Sequence, residues 1–138
     1  MSAPCVCSEL RKAARAVTRV YDEAFRPMGY RATQIAILMA SSCCGPVTLS
    51  ELAEETVTDR TTLTRNLRLL RKKGLICVER GADRREQRIC ATQLGQAVLR
   101  KAAGPWREAQ RRMVEQVGKT RLKRLIGDLA CLHEKGTR

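Results

Sequence analysis

Apolar residues recur at three- and four-residue steps over most of the chain, and the period shortens in one place only. From Ser8 to Phe25, Leu10, Ala13, Ala14, Val17, Tyr21 and Ala24 form one stripe, which predicts an amphipathic helix stopped by Pro27 and Gly29. A second helix over Thr33–Cys43 is apolar on most sides, as expected of a central element, and Gly45-Pro46 ends it. Thr48-Leu-Ser-Glu51 reads as a capping box opening a short helix, Leu49–Glu55. After a turn at 56–58, Asp59 caps a longer helix lasting to Lys73. Gly74 supplies its left-handed stop, and Lys72 and Lys73 suit the negative helix end. The pattern then becomes strand-like: Leu75–Glu79 and Arg88–Ala91 flank a charged tip, Arg80-Gly-Ala-Asp-Arg-Arg-Glu-Gln87. Thr92 caps a long helix, Gln93–Val117, with a bend expected at Gly104-Pro105. Beyond Gly118 a last helix, 120–133, carries Leu122, Leu125, Ile126, Leu129 and Leu132 on one stripe.

Short helix, tight turn, longer helix and basic hairpin form the order of a winged helix-turn-helix, so the expected class is mainly α with a small β-hairpin wing. On the wheel of the longer helix, Leu63, Leu67 and Leu70 face inward. Thr61, Arg65, Arg68 and Lys72 lie opposite, with Thr62 and Thr64 on the flanks. Hydroxyls and a guanidinium near the N-terminal half suit base edges, and cations further along suit phosphates. An ordinary solvated basic face would look similar on this wheel alone. The hairpin tips the balance, because Arg80, Arg84, Arg85 and Arg88 crowd a tip shaped by Gly81 and Asp83, and a phosphate backbone relieves their repulsion. Composition points the same way. Twenty-seven Lys and Arg against fourteen Asp and Glu give +13 and a pI near 10.1, a field that attracts polyanions without naming one. The expected DNA-contacting set is Thr48, Arg60, Thr61, Thr62, Thr64, Arg65, Arg68, Lys72, Arg84, Arg85 and Arg88.

Val47-Thr-Leu-Ser-Glu-Leu-Ala53, Asp59-Arg-Thr-Thr-Leu-Thr-Arg-Asn66, Leu69-Leu-Arg-Lys-Lys-Gly-Leu-Ile76, and the wing Asp83-Arg-Arg85 followed by Ala91-Thr-Gln-Leu-Gly95 together resemble the MarR family of bacterial regulators. Ala91-Thr departs from the family's usual Leu-Thr at that join. The resemblance implies a homodimer on a pseudo-palindromic double-stranded operator, usually as a repressor. It also implies that Asp83 pairs with Arg85 to aim it at the minor groove, and that a small aromatic effector enters a cleft between reading and dimerisation parts. Tyr21, Phe25 and Tyr30 are candidates to line that cleft, though with Trp106 they read first as core. One domain is expected over 1–138, with 31–92 as the DNA-binding region and 1–30 with 93–138 as dimerisation helices. The leucine stripe of the last helix supports a dimer independently, since a small domain does not easily cover it alone.

Other classes fit less well. The longest apolar run, Ile35–Ala40, is too short to span a bilayer, and the first residues lack the pattern of a secretion signal, so no membrane partner and a cytoplasmic location are expected. The single histidine, His133, offers little to a nucleophile pair, and no glycine-rich phosphate loop follows a strand, which disfavours an enzyme. Seven cysteines are better read as thiols than as a disulfide scaffold. Cys77, Cys90 and Cys131 read as small buried apolar residues. Cys5 and Cys7, just ahead of the first helix, are candidate sensors, either by oxidation or as ligands for a thiophilic metal or metalloid; an incidental pair is equally open. No cofactor is required. Two rivals to the specific regulator remain: a non-specific architectural nucleic-acid binder, and a thiol oxidoreductase built on Cys5 and Cys7.

Overall fold

The computed structural model describes residues 3–43, 45–83 and 85–136. Six helices and a small sheet follow in the order α1 (Val6–Phe25), α2 (Ala32–Cys43), β1 (Val47–Thr48), α3 (Leu49–Glu55), α4 (Arg60–Lys72), β2 (Ile76–Arg80), β3 (Gln87–Ala91), α5 (Gln93–Val117) and α6 (Lys119–Gly136), with a 3-10 turn at Arg26–Met28. This is the mainly helical winged architecture expected from the sequence.

Local chemistry sets the helix starts. The Thr48 hydroxyl accepts from the Glu51 amide at 3.2 Å while the Glu51 carboxylate accepts from the Thr48 amide at 3.0 Å, so the capping box is complete. Asp59 caps α4 by accepting from the Thr62 amide at 2.9 Å. Thr92 caps α5 through the Gly95 amide, and its own hydroxyl reaches back to the Gly74 carbonyl at 2.6 Å. Gly74 takes φ +74°, which lets the chain leave α4 and enter the wing. Gly95 answers a different need: a Cβ there would collide with the Leu75 carbonyl and touch Leu38, so the first turn of α5 lies close on the root of β2.

The core gathers around α2. Ile37 and Leu38 are fully buried, with Phe25, Leu52, Leu63, Leu70 and Leu75 at 1 % exposure or close to it. The Asp22 carboxylate on α1 accepts from the Ala32 amide at 2.7 Å and so starts α2. Phe25 is core; Tyr21 and Tyr30 pack half-buried against that core, while Trp106 stays 48 % exposed. Burial pushes the Tyr21 hydroxyl above its ordinary pKa.

Several expectations need correction. The sheet has three strands in the order β1-β3-β2, and β1, which no local pattern announces, pairs Val47 with Ile89 and Thr48 with Arg88. Cys7 lies inside the first turn of α1 rather than ahead of it. Cys131 is exposed, not buried. Cys77 and Cys90 are not separate apolar fillers: they are register partners on β2 and β3, joined by a disulfide.

Candidate nucleic-acid interface

The reading helix is oriented from its buried side. Leu63 and Leu70 are fully buried and Leu67 half-buried, which forces the opposite face of α4 outward. On that face Arg60, Thr61, Thr64, Arg65 and Arg68 line one shallow open depression. All five are exposed, as is Lys72 one turn further on. Arg60 is not free, since its guanidinium donates to the Ser50 hydroxyl at 2.9 Å and ties α4 to α3. Between the two helices, Val57 adopts φ 49°, an uncommon conformation for a β-branched residue, and this closes the tight turn.

Two expected contact residues also serve the scaffold. The Thr62 hydroxyl donates to the Asp59 carboxylate at 2.8 Å and is half-buried. The Thr48 hydroxyl is engaged by the Glu51 amide. The Thr62 amide first, and then its hydroxyl, hold the Asp59 carboxyl below the usual carboxylate range.

In the wing, the Gly81 amide donates to the Glu86 carbonyl and the Glu86 amide to the Asp83 carbonyl, each at 2.9 Å, so the tip is a tight, bonded turn. The Asp83 carboxylate accepts from the Arg85 backbone amide at 3.3 Å. It therefore shapes the turn, which leaves the exposed Arg85 side chain pointing from a fixed backbone. Arg88 pairs with Glu86 at 3.3 Å, an exchangeable partner that a phosphate displaces easily. Arg84 lies outside the described residues.

Helix and wing meet over an apolar cleft of about 250 Å³ lined by Leu49, Leu67, Ile76, Val78 and Ile89, with Arg68 and Arg71 at its edge. Arg71 was missed by the wheel argument, although its spacing of three from Arg68 puts both on one stripe. Lys73 was read as a helix-end cation; it lies 4.4 Å over the Tyr30 ring. Cys5 and Cys7 are far along the chain from this surface; both are exposed and share a depression with Ser8, Arg11, Lys12 and Arg15. No third metal ligand joins them among the described residues.

Exposed cations and hydroxyls on a recognition helix, braced by a short helix and flanked by an arginine-bearing hairpin, define the winged helix-turn-helix class of DNA-binding regulators. The MarR family profile matches residues 31–87. The Mycobacterium tuberculosis transcriptional regulator MosR, solved in complex with DNA, is 40 % identical with TM-score 0.80, covering 97 % of both chains. The chain belongs to the MarR family of transcriptional regulators. Two more distant structures share the fold. Escherichia coli MarR in its apo form is 19 % identical with TM-score 0.81, covering 95 % of this chain and 98 % of that one. Bordetella bronchiseptica BpsR, described with regulation of its DNA binding by 6-hydroxynicotinic acid, is 18 % identical with TM-score 0.85, covering 96 % and 95 %. The search of curated proteins found no match. Among the described residues no helix is long and apolar enough to cross a membrane.

Proposed function

We propose that two copies of this chain bind a pseudo-palindromic operator in the cytoplasm and repress transcription until a signal releases them. The observation that carries this reading is the outer face of α4: Thr61, Thr64, Arg65 and Arg68 stand exposed because Leu63 and Leu70 are locked inside. Arg65 and the threonines read base edges, Lys72 and Arg60 hold phosphates, and Arg85 and Arg88 enter or flank the minor groove. A 40 % identical regulator solved with DNA supports this use of the surface.

Residues 31–92 form the reading head, and 1–30 with 93–138 the dimerisation region. The apolar stripes of α1 and α6 support that division, with Leu10, Val17, Leu125, Ile126 and Leu129 all between 38 and 58 % exposed. A C2 pair buries these stripes against each other and presents two heads one helical turn of DNA apart.

The signal is received away from DNA. The exposed thiols of Cys5 and Cys7, at the head of α1, are placed for oxidation or for a thiophilic metal or metalloid. A small aromatic effector is the other class the family suggests, and the pocket lined by Asp22, Arg26, Gly29, Tyr30 and Arg31 is where it meets the junction of α1 and the head. Neither requires a resident cofactor, and no catalytic step is proposed.

The test is selection of bound duplexes from a random pool, followed by a salt titration. A dimer making about ten phosphate contacts gives a log-log salt slope on the order of −9, with the selected site preferred over random DNA by ~10³ or more. A steep slope with equal affinity for all sequences overturns the operator reading in favour of an architectural binder.

A further inference from the structure

The outer face of the wing carries a pair of sulfurs that DNA reading leaves unexplained. Ile76, Val78, Ile89 and Ala91 turn toward the helices, so Cys77, Glu79, Arg88 and Cys90 share the opposite face. Cys77 and Cys90 are direct register partners with Cα atoms 5.5 Å apart, a spacing a disulfide spans without moving the backbone, and the bond is present. Both residues are only half-buried, so small reagents reach them. Glu79 Oε1 lies 3.5 Å from the Cys90 sulfur, and Glu79 and Arg88 form the next pair along the ladder.

The place of this pair in the sheet gives it leverage. With the order β1-β3-β2, β2 is an edge strand whose ladder hydrogen bonds go to β3 alone; Ile76 and Val78 anchor its first half on the core, and its outer half, Glu79 and Arg80, is exposed. When β2 frays, Arg80, Asp83 and Arg85 move with it. A covalent tie at Cys77–Cys90 stops that motion at the stem, below the arginines that meet DNA.

We propose that Cys77 and Cys90 are a reversible oxidation site, a dithiol that a hydroperoxide closes to a disulfide, stapling the wing and tightening its hold on DNA. The inference rests on the regulator reading above, because a protein working on cytoplasmic DNA lives among reductants that keep cysteines as thiols. The dithiol is then the resting form and the disulfide the signalled form. In the first step the Cys77 sulfur attacks the hydroperoxide oxygen. The O–O bond breaks, alcohol or water leaves, and Cys77 becomes a sulfenic acid. In the second, the Cys90 sulfur attacks that of Cys77. The S–S bond forms, the S–OH bond breaks, and water leaves after the Cys90 proton passes by way of the Glu79 carboxylate. The sum is two thiols and one hydroperoxide giving one disulfide, one alcohol (or water) and one further water. Oxidation fixes in advance a wing that the reduced protein must order on DNA, and preorganisation of this kind raises affinity. A thiophilic cation is the competing occupant, since the ligand atoms of Cys77, Glu79 and Cys90 lie within 4.8 Å of one another.

The experiment uses the full-length chain carrying Cys5→Ser and Cys7→Ser, so that the terminal thiols do not contribute. The protein is reduced anaerobically, treated with hydrogen peroxide, and analysed by alkylation and peptide mass. The expected result is an intrachain link between Cys77 and Cys90 that dithiothreitol reverses. On oxidation, operator affinity rises on the order of threefold, and the rise disappears when Cys77→Ser and Cys90→Ser are added. Thiols at 77 and 90 that stay alkylatable after peroxide overturn the proposal. So does a link to other cysteines, or a link that leaves operator affinity unchanged. If cadmium changes operator affinity through these residues while peroxide does not, the pair is a metal site and the proposal also falls. The link is read by mass, independently of DNA, whereas failure of the regulator reading shows as a reduced protein with no operator preference.

Discussion

Helices α4 and α6 are both amphipathic, yet one chain completes the first and leaves the second open. In α4 the apolar stripe is sealed: Leu63 is 0 % and Leu70 1 % exposed, covered by the rest of the head. In α6 a comparable stripe stays bare, with Leu125 at 43 %, Ile126 at 58 % and Leu132 at 55 %. The same 3.6-residue period therefore has two outcomes. An apolar face near the centre of the chain finds α2 and the sheet around it. The one on α6, which packs chiefly along α5, is left largely uncovered. The difference separates a helix whose apolar stripe the chain itself covers from one whose stripe stays open, the face that the proposed dimer would bury.

The largest expected effect tests the sealed side. Leu63→Ala removes a fully buried side chain from the base of the reading helix and costs about 3 kcal/mol, read as a drop in thermal midpoint with loss of operator binding. A midpoint unchanged within error would mean that α4 is not anchored as described. Next, Ile126→Asp combined with Leu129→Asp addresses the open side. The expected product is a folded monomer by sedimentation, with helical content retained and operator affinity down by about two orders of magnitude. A dimer that survives both changes would place the interface elsewhere.

A smaller pair of effects separates roles along one helix. Arg65→Ala costs about 1–3 kcal/mol on the selected site and relaxes base preference at one position. Lys72→Ala weakens all sequences alike and reduces the salt slope by about 1. Equal losses on operator and random DNA for both variants would dissolve the division between base reading and backbone contact.

The smallest effect concerns the α4 cap. Asp59→Ala lowers the thermal midpoint near neutral pH, because the carboxylate accepts from the Thr62 amide and hydroxyl. The folded-state pKa of Asp59 is depressed, so its stabilisation is present above the unfolded carboxylate pKa. It is lost as pH falls through the lower folded value. The difference between wild type and variant should therefore shrink in acid. A difference that holds constant to low pH would show that the cap acts without its charge.

Much of this was legible because it is local. Caps at Thr48, Asp59 and Thr92, and the stop at Gly74, depend on groups within a few residues of each other, so residue type and spacing reveal them. The outward face of α4 followed from the same arithmetic, once Leu63 and Leu70 were known to point in. Thr62 and Thr48 show the limit of that reasoning. A hydroxyl at a helix start can serve the cap or a ligand; here the Thr48 hydroxyl accepts from the Glu51 amide and the Thr62 hydroxyl donates to the Asp59 carboxylate. Asp83 is similar: its partner is the Arg85 amide, a distinction residue types do not carry.

From the residue order alone came the helical periods, the hairpin and its arginines, the positive charge and hence the class of partner, since all of these rest on short-range geometry or on simple sums. Only the folded chain decided that Val47 pairs with Ile89, that Cys77 meets Cys90 across the wing, and that α6 keeps Leu125, Ile126, Leu129 and Leu132 exposed. Those facts depend on which distant segments are brought together. Pairing across a sheet and cover over a helix are settled by packing the whole chain, not by any window of it.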